Sequence, residues 1–404
     1  MDSPDTSTGR HDSPAAGQAV PRPLDSQNMT GNHTGAREIQ IGFIGAGDVN
    51  FGGGEGPWDH ASRLEAIGGV RVVAVADPDT DRAQAQLAKR TGEMYRDARV
   101  FAEYRDMLSQ TDLDAVWIGV PPNAHGTRQI GKDIEPACAA AGVHMFIEKP
   151  LSSARPAEVR EVAALIARAD SITSVGYMFR YARSIEWIRS VIEASEGGIK
   201  AVIARYNCAY SEIRKAQWWD TRMNGGPIVE QATHFVDLAR YIAGEAVPDS
   251  VRALSIPGSD PSGHLRDIPT APDGARFGSN VPPEFAYPRV TAAVWRFDGG
   301  ALGSLTHGTL LHGEKYETEL EIWGDGLRIV LLDPYDRCRV LIRRPRSEQT
   351  EEITFPDDDP YLTEDQAFLA AVRTGDRSGI RSSYADALKT FELTWAITDA
   401  SDET

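Results

Sequence analysis

Residues 39–50 read IQIGFIGAGDVN. The run IQIGFIG over 39–45 is short, mostly apolar and ends in glycine, the pattern of a strand buried in a parallel sheet. Gly45 and Gly47 occupy the first two positions of a dinucleotide-binding turn. The first permits a tight strand-to-helix bend, and the second lets the backbone approach a pyrophosphate at a helix N-terminus. Asp48 and Val49 continue the turn and join the cofactor-contact candidates. PWDHASRLEAIG then reads as a helix and VRVVAVAD (70–77) as a second buried strand. Asp77 closes that strand, where an acid binds the adenosine ribose hydroxyls and repels a 2′-phosphate. The expected cofactor is therefore NAD, with NADP disfavoured. Two features depart from the fingerprint. Asn50 stands at the third glycine position, and the glycine-rich FGGGEGPW lengthens the loop, so Asp77 lies 30 residues past Gly47 where about 20 is usual.

The theme repeats outward. DAVWIGV (114–120), VHMFIE (143–148) and SITSVGYM (171–178) are further strands with helical segments between them. Strands alternating with helices imply a parallel sheet covered on both faces. The expected fold class is α/β: a Rossmann NAD-binding domain over 38–178, then an α+β substrate-binding and oligomerisation domain over 179–404 with a large, mostly antiparallel open sheet. After a helix near 183–194, KAVIARYNCAY (200–210), RVTAAVWRFD (289–298), ALGSLTHGTL (301–310) and YETELEIWGD (316–325) alternate polar and apolar residues. FDGGAL between two of them reads as a hairpin turn. Residues 251–288 are rich in Pro, Gly, Ser and Asp and lack periodicity; they read as an insertion near the substrate pocket or an oligomer contact, with disorder as the alternative. YLTEDQAFLAAVRTG and SYADALKTFELTWAITDA read as two closing helices.

Composition narrows the function classes. The chain has 404 residues, 41% hydrophobic and 25% charged, with a formal net charge of −17. That charge argues against nucleic acid and anionic membranes as partners. No apolar run approaches the roughly 20 residues that span a bilayer. The three cysteines, Cys138, Cys208 and Cys338, form no CxxC pair, so neither a disulfide framework nor a cysteine metal site is expected. Residues 1–37 are rich in Ser, Pro, Asp, Gly and Thr and read as a disordered tail. The tail lacks the apolar core of a signal peptide, and a cytoplasmic location is expected.

GGPIVEQATHFVD (225–237) reads as one helix carrying Glu230, His234 and Asp237 at spacings of four and three, hence on one face. Ile228, Ala232, Phe235, Ala239 and Ile242 form a separate packing stripe. A carboxylate beside an imidazole is a common proton-transfer device. Asp237, one turn further on, is expected to be structural. A zincin motif needs two histidines on one helix, and this helix has one, so no metal is expected.

Four motifs now stand in order: GFIGAG at the first strand, VPPNAH (120–125), EKP (148–150), and the GG…E…H…D helix. Together they make the chain resemble the Gfo/Idh/MocA oxidoreductases over about residues 38–400. The resemblance implies that Lys149 is the active-site lysine, next to the nicotinamide and the substrate hydroxyl, and that His234 transfers the proton. Glu230 takes the place where many members have Asp, to orient His234 or touch substrate. The resemblance also implies that Pro121, Pro122, Asn123 and His125 lie near the nicotinamide, that Glu148 lines the cofactor side of the same turn, and that the bond before Pro150 is often cis. The location agrees with physical expectation, because ligands of open α/β sheets bind outside the carboxyl ends of the strands. There a lysine can stabilise a developing alkoxide.

Further pocket candidates are Tyr177, Arg180, Asn207, Tyr210, Trp218, Trp219 and Arg222, with core packing as the alternative for the aromatic rings. The leading expectation is an NAD-dependent dehydrogenase acting on a secondary alcohol of a sugar, cyclitol or related polyol. The alternatives are an NAD-dependent glycosidase working through transient oxidation and a non-catalytic NAD-binding regulator; retention of the lysine and histidine argues against the regulator. A homodimer or homotetramer through the C-terminal sheet is expected from the resemblance.

Overall fold

The computed structural model describes residues 37–53, 59–258, 268–311 and 315–402, with the side chain of Glu212 left aside. The expected N-terminal tail, part of the glycine-rich loop and part of the 251–288 insertion lie outside the described residues.

Six strands form the first sheet: β1 (Ile39–Ile44), β2 (Val70–Ala76), β3 (Arg99–Phe101), β4 (Ala115–Ile118), β5 (His144–Ile147) and β6 (Thr173–Val175). They are all parallel, in the order β3-β2-β1-β4-β5-β6. This is the doubly wound order that places a ligand crevice where the chain reverses direction across the sheet, beside β1 and β4. Side chains alternate between the faces, which explains why the strands read as continuous apolar runs. Ile41, Phe43, Val72, Trp117 and Phe146 enter one core cluster. Ile44, Ala74, Val116, Ile118, Met145 and Ile147 enter another.

Helices cover both faces: α1 (Asp48–Phe51), α2 (His60–Ile67), α3 (Thr80–Ala88), α4 (Tyr104–Gln110), α5 (Ile134–Ala140) and α6 (Pro156–Ala169). The remaining helices are α7 (Arg183–Glu193), α8 (Thr221–Asn224), α9 (Pro227–Glu230), α10 (Thr233–Ala243), α11 (Pro360–Thr374) and α12 (Tyr384–Asp402). The last two return to the first sheet. Phe368 and Leu369 of α11 join the cluster of Phe43 and Trp117. Tyr384, Phe391 and Trp395 of α12 join the cluster of Met145 and Ile147. Residues 38–404 thus form one compact unit.

The second sheet has eight strands: β7 (Ile199–Ala209), β8 (Ala246–Ile256), β9 (Val290–Phe297), β10 (Leu302–Leu311), β11 (Tyr316–Gly324), β12 (Arg328–Leu332), β13 (Arg339–Arg343) and β14 (Glu351–Thr354). All neighbours pair antiparallel except β7 and β10. Its inner face packs Val202, Ala204, Trp295, Leu305 and Leu320 against Phe235 and Leu238 of α10. Residues 251–256, read as the start of an aperiodic insertion, belong to the edge strand β8. That strand buries only Val251 and Ala253 clearly, so its pattern is too weak to read without its partner β9.

The dinucleotide turn is held by contacts that only glycine permits. Gly45 has φ +95°, and a Cβ there would lie 2.4 Å from the Gly119 carbonyl oxygen. Gly45→Ala should therefore cost about 1–3 kcal/mol or more, measured by urea unfolding. A loss below about 0.5 kcal/mol would show that the turn adapts freely.

Candidate active site

The turn after β5 and the break between α9 and α10 meet at one lysine. Lys149 Nζ donates to the Glu230 carbonyl oxygen at 3.0 Å and to Glu230 Oε1 at 3.2 Å. Both side chains are largely but not wholly withdrawn from solvent, at 17% and 10% exposure. The Lys149–Pro150 peptide is cis.

The stretch 225–237 is not one helix. It splits into α9 and α10, because Ala232 N–H bonds the Pro227 carbonyl five residues back and Thr233 begins a new helix. Gln231 anchors the break. Its Oε1 lies 2.7 Å from the Tyr287 hydroxyl, 3.0 Å from His307 Nε2 and 3.4 Å from Cys208 Sγ, all buried. The break presents Glu230 to Lys149 and sends the next residue into the second sheet.

His234 follows on the first turn of α10. It is 7% exposed and ringed by Tyr177, Phe179 and Tyr335, with centroids at 6.0, 5.7 and 6.0 Å. Its Nδ1 has no hydrogen-bond partner among the described residues. Burial, reinforced by the Lys149 charge, pushes its pKa well below the ordinary histidine value. His234 is thus a neutral imidazole, while Glu230 engages Lys149.

Asp237 departs from this group. It accepts from Arg180 Nε and Nη2 at 2.7 and 2.6 Å and from Thr390 at 2.7 Å. Arg180 also donates to Asp386 and to the Arg381 carbonyl, so this 2%-exposed guanidinium has its donors spent in the core. The structure thus places Arg180 in a buried network tying α10 to α12. Asn207 is also turned away. Tyr206 and Cys208 face Phe235 and Gln231, so the alternation of β7 puts Asn207 on the opposite face, where its Oδ1 accepts from Leu310 N–H at 3.3 Å. Tyr177 is buried beside His234, its hydroxyl 2.8 Å from Thr233 Oγ1. Trp219 and Tyr210 line a cavity of about 300 Å³ with Phe277, Tyr287 and Arg289. Trp218 packs against the second core, and Arg222 pairs with Asp220.

At the cofactor edge, Asn50 occupies the missing glycine's place by turning inward: its Nδ2 donates to the Gly45 carbonyl at 2.7 Å. Asp77 is buried and accepts from Ala46 N–H at 2.7 Å, from Asp79 N–H at 2.8 Å, and from the half-exposed Arg82. A Cβ at Gly47 would meet nothing within 4 Å. The open flank of that turn and an acid at the end of β2 suit a dinucleotide: loop N–H groups for the phosphates and Asp77 for the ribose. Pro121 and Asn123 border the crevice on the loop after β4, with Asn123 Nδ2 3.8 Å from Met223 Sδ of α8. His125 does not join them. It is buried, with Nδ1 2.6 Å from Glu135 Oε1, and holds the loop from beneath.

One group has no signal in the local sequence. His60 Nδ1 lies 3.0 Å from both oxygens of Asp365, 305 residues away, and His60 Nε2 lies 3.1 Å from Glu148 Oε1. Burial alone would lower its pKa, but the two carboxylates raise it to about 10. The ring cage of Tyr335 and the Gln231 anchor were equally hidden, since their partners are distant in sequence. Among the described residues no cluster of His, Cys, Asp or Glu could hold a metal, and no helix is long and apolar enough to cross a membrane.

Fold and site together define an NAD-binding oxidoreductase. Residues 39–177 match the family model described as "Oxidoreductase family, NAD-binding Rossmann fold", and residues 180–327 match an oxidoreductase C-terminal domain. The chain is 37% identical to an uncharacterised protein of Schizosaccharomyces pombe, UNK4.17, over 90% of this chain and 91% of that one. It is 25% identical to myo-inositol 2-dehydrogenase of Thermotoga maritima, over 84% and 89%. The WlbA dehydrogenase of Bordetella pertussis, solved with NADH and UDP-GlcNAcA, superposes with a TM-score of 0.68 at 20% identity, covering 91% of this chain and 97% of that one. The chain belongs to the Gfo/Idh/MocA oxidoreductase family.

Two outcomes follow from the buried charges. Asp237→Ala leaves the Arg180 guanidinium short of its main partner and should cost about 3–5 kcal/mol in urea unfolding; a cost under about 1 kcal/mol would contradict the buried-pair assignment. The His60 pKa is raised on folding, so its stabilisation is full below about pH 6.5 and is lost as pH climbs towards 10. The wild type should lose up to about 1.4 kcal/mol of stability per pH unit through that window, and His60→Gln should flatten the slope. An equal slope in both proteins would contradict the raised pKa.

Proposed function

We propose that the protein is an NAD-dependent dehydrogenase that oxidises a secondary alcohol of a sugar, cyclitol or related polyol. The observation that carries this reading is the Lys149–Glu230 contact made beside a neutral, ring-caged His234. A neutral imidazole can take a hydroxyl proton at once, worth about 10²–10⁴-fold. The Lys149 ammonium donates to the same substrate oxygen as it becomes an alkoxide, and Glu230 holds the ammonium in place and accepts from a neighbouring hydroxyl. When bound, the nicotinamide supplies the hydride acceptor. Residues 38–178 hold the dinucleotide, and residues 179–404 bind substrate. NAD is favoured over NADP because the Asp77 carboxylate closes β2; ribose hydroxyls can replace Arg82, whose side chain is half exposed. The cyclitol class gains support from the Thermotoga myo-inositol 2-dehydrogenase.

The outer face of the second sheet supports a homo-oligomer. Leu254, Ile256, Val294, Leu302, Leu310 and Trp323 are all exposed, in strands whose alternate residues form the core. Large apolar side chains exposed together on one sheet face support an interaction surface. A dimer or tetramer through this face, working in the cytoplasm, is the reading adopted.

The test is the absorbance change of nicotinamide reduction across a panel of inositols, sugars and sugar acids. Lys149→Met should reduce kcat/KM by about 10²–10³-fold, and His234→Ala by about 10²–10⁴-fold. The His234 pKa is depressed, so its proton-accepting form persists well below the ordinary value, and kcat/KM should hold steady as pH falls from 8 to about 6. Full activity in Lys149→Met, or an acid limb centred on the ordinary histidine pKa, would contradict the assignment.

A further inference from the structure

Beside the Lys149 turn lies a second set of charged side chains, drawn from three elements. His60 opens α2, Glu148 follows β5 just before Lys149, and Asp365 sits in the first turns of α11. Both nitrogens of His60 face carboxylates, with Asp365 at 3.0 Å and Glu148 at 3.1 Å. A neutral imidazole can donate from one nitrogen only, so the imidazolium alone satisfies both contacts. The surroundings are built for this ion. Trp117 Nε1–H donates to Asp365 Oδ1 at 2.9 Å, and the Phe146 ring meets the imidazole edge-on at 4.7 Å. Gly176 makes room for Glu148, since a Cβ there would lie 2.9 Å from Oε1.

The three side chains differ in access. Those of His60 and Asp365 are 3% and 0% exposed, whereas that of Glu148 is 17% exposed. Only Glu148 can touch a ligand, so the other two act through it. Other charged and titratable groups nearby include Glu364 and Tyr361 of α11, Arg63 of α2 with its partner Asp359, and Lys149 itself. Glu364 is fully buried with neither oxygen hydrogen-bonded among the described residues, and its pKa lies well above the usual carboxyl value through burial and its acidic neighbours. That upward shift favours its neutral form, which would not compete with Glu148 and Asp365 for His60.

We infer that His60 is a positioning residue of the cofactor site: as an imidazolium braced by Asp365, it pins the Glu148 carboxylate, and with it the Lys149 turn, to α2, the second helix after the Gly45–Gly47 turn. Dinucleotide affinity then depends on a side chain that never touches the dinucleotide. The inference rests on the reading of Glu148–Lys149 as the cofactor-side turn. A purely structural staple between α2, β5 and α11 would affect unfolding and leave the affinity of the folded protein unchanged.

The test is calorimetric titration of the full chain with NADH, for wild type, His60→Ala, Glu148→Gln and the double variant. Each single variant should weaken NADH by about tenfold or more, the worth of one charge-assisted contact. The double variant should be no weaker than the poorer single, because both remove one contact. Independently, ¹⁵N spectra of the unliganded, histidine-labelled protein should show His60 doubly protonated at pH 8, and Glu148→Gln should lower its titration midpoint. If His60→Ala fails to fold, Glu148→Gln and the spectra decide. Folded variants binding NADH within about twofold of wild type, or a neutral His60 at pH 7, would overturn the inference. If the wild type itself does not bind NADH, the cofactor-site reading fails, and the inference falls with it. That result is distinct from binding that the variants leave untouched.

Discussion

The contact on which the arrangement turns is the one that Lys149 makes with Glu230, through both a backbone carbonyl and a carboxylate. It joins the carboxyl edge of the parallel sheet to the helix break facing the second sheet. A charge pair withdrawn from water contributes little net stability, because desolvation offsets the attraction. Its value here is geometric. It sets the ammonium at a defined place beside His234, and that same charge, added to burial, keeps the imidazole neutral. Under the proposed function, one lysine would thus organise both the donor that stabilises an alkoxide and the base that generates it.

Two kinds of buried polar network support this pair. On the second-sheet side, Gln231 collects Tyr287, His307 and Cys208 on one oxygen and so fixes where the helix breaks. The Arg180–Asp237–Asp386 group then anchors α10 against α12. On the first-sheet side, His60 and Asp365 hold Glu148. In each case a side chain at the crevice is oriented by groups behind it that are shielded from solvent, which is how a site keeps its geometry without rigid backbone at every point.

Much of the first sheet was legible from its strands and the turns that end them. Strands buried on both faces leave continuous apolar runs, and IQIGFIG, VRVVAVA and AVWI stand out for that reason. Asp77 was legible because a strand end fixes where its side chain can lie, and Lys149 through the family resemblance of the EKP motif, with which its place at a strand end agrees. The second sheet was only half legible. β12, β13 and β14 are four or five residues long, too short for alternation to show, and β8 is largely exposed. Helical spacing placed Glu230, His234 and Asp237 on one face of one helix. Tertiary anchoring at Gln231 broke that helix and sent the three side chains to different partners. Arg180 suited a sugar pocket by chemistry alone, and nothing local signalled that Asp237 and Asp386 would enclose it. The His60–Asp365 contact spans 305 residues, beyond any reading of local pattern.

The central claim is that Lys149 and His234 form one site where a polyol carbon gives up its hydride and the attached hydroxyl its proton. Its most direct measurement is mass-spectrometric detection of deuterium on the nicotinamide after incubation with NAD and a panel of carbon-deuterated inositols and sugars. Deuterated NADH is expected with the wild type on at least one member of the panel, forming about 10²–10⁴-fold more slowly with His234→Ala. Tight NADH binding with no deuterium transfer from any of them, or equal transfer by His234→Ala, would contradict it.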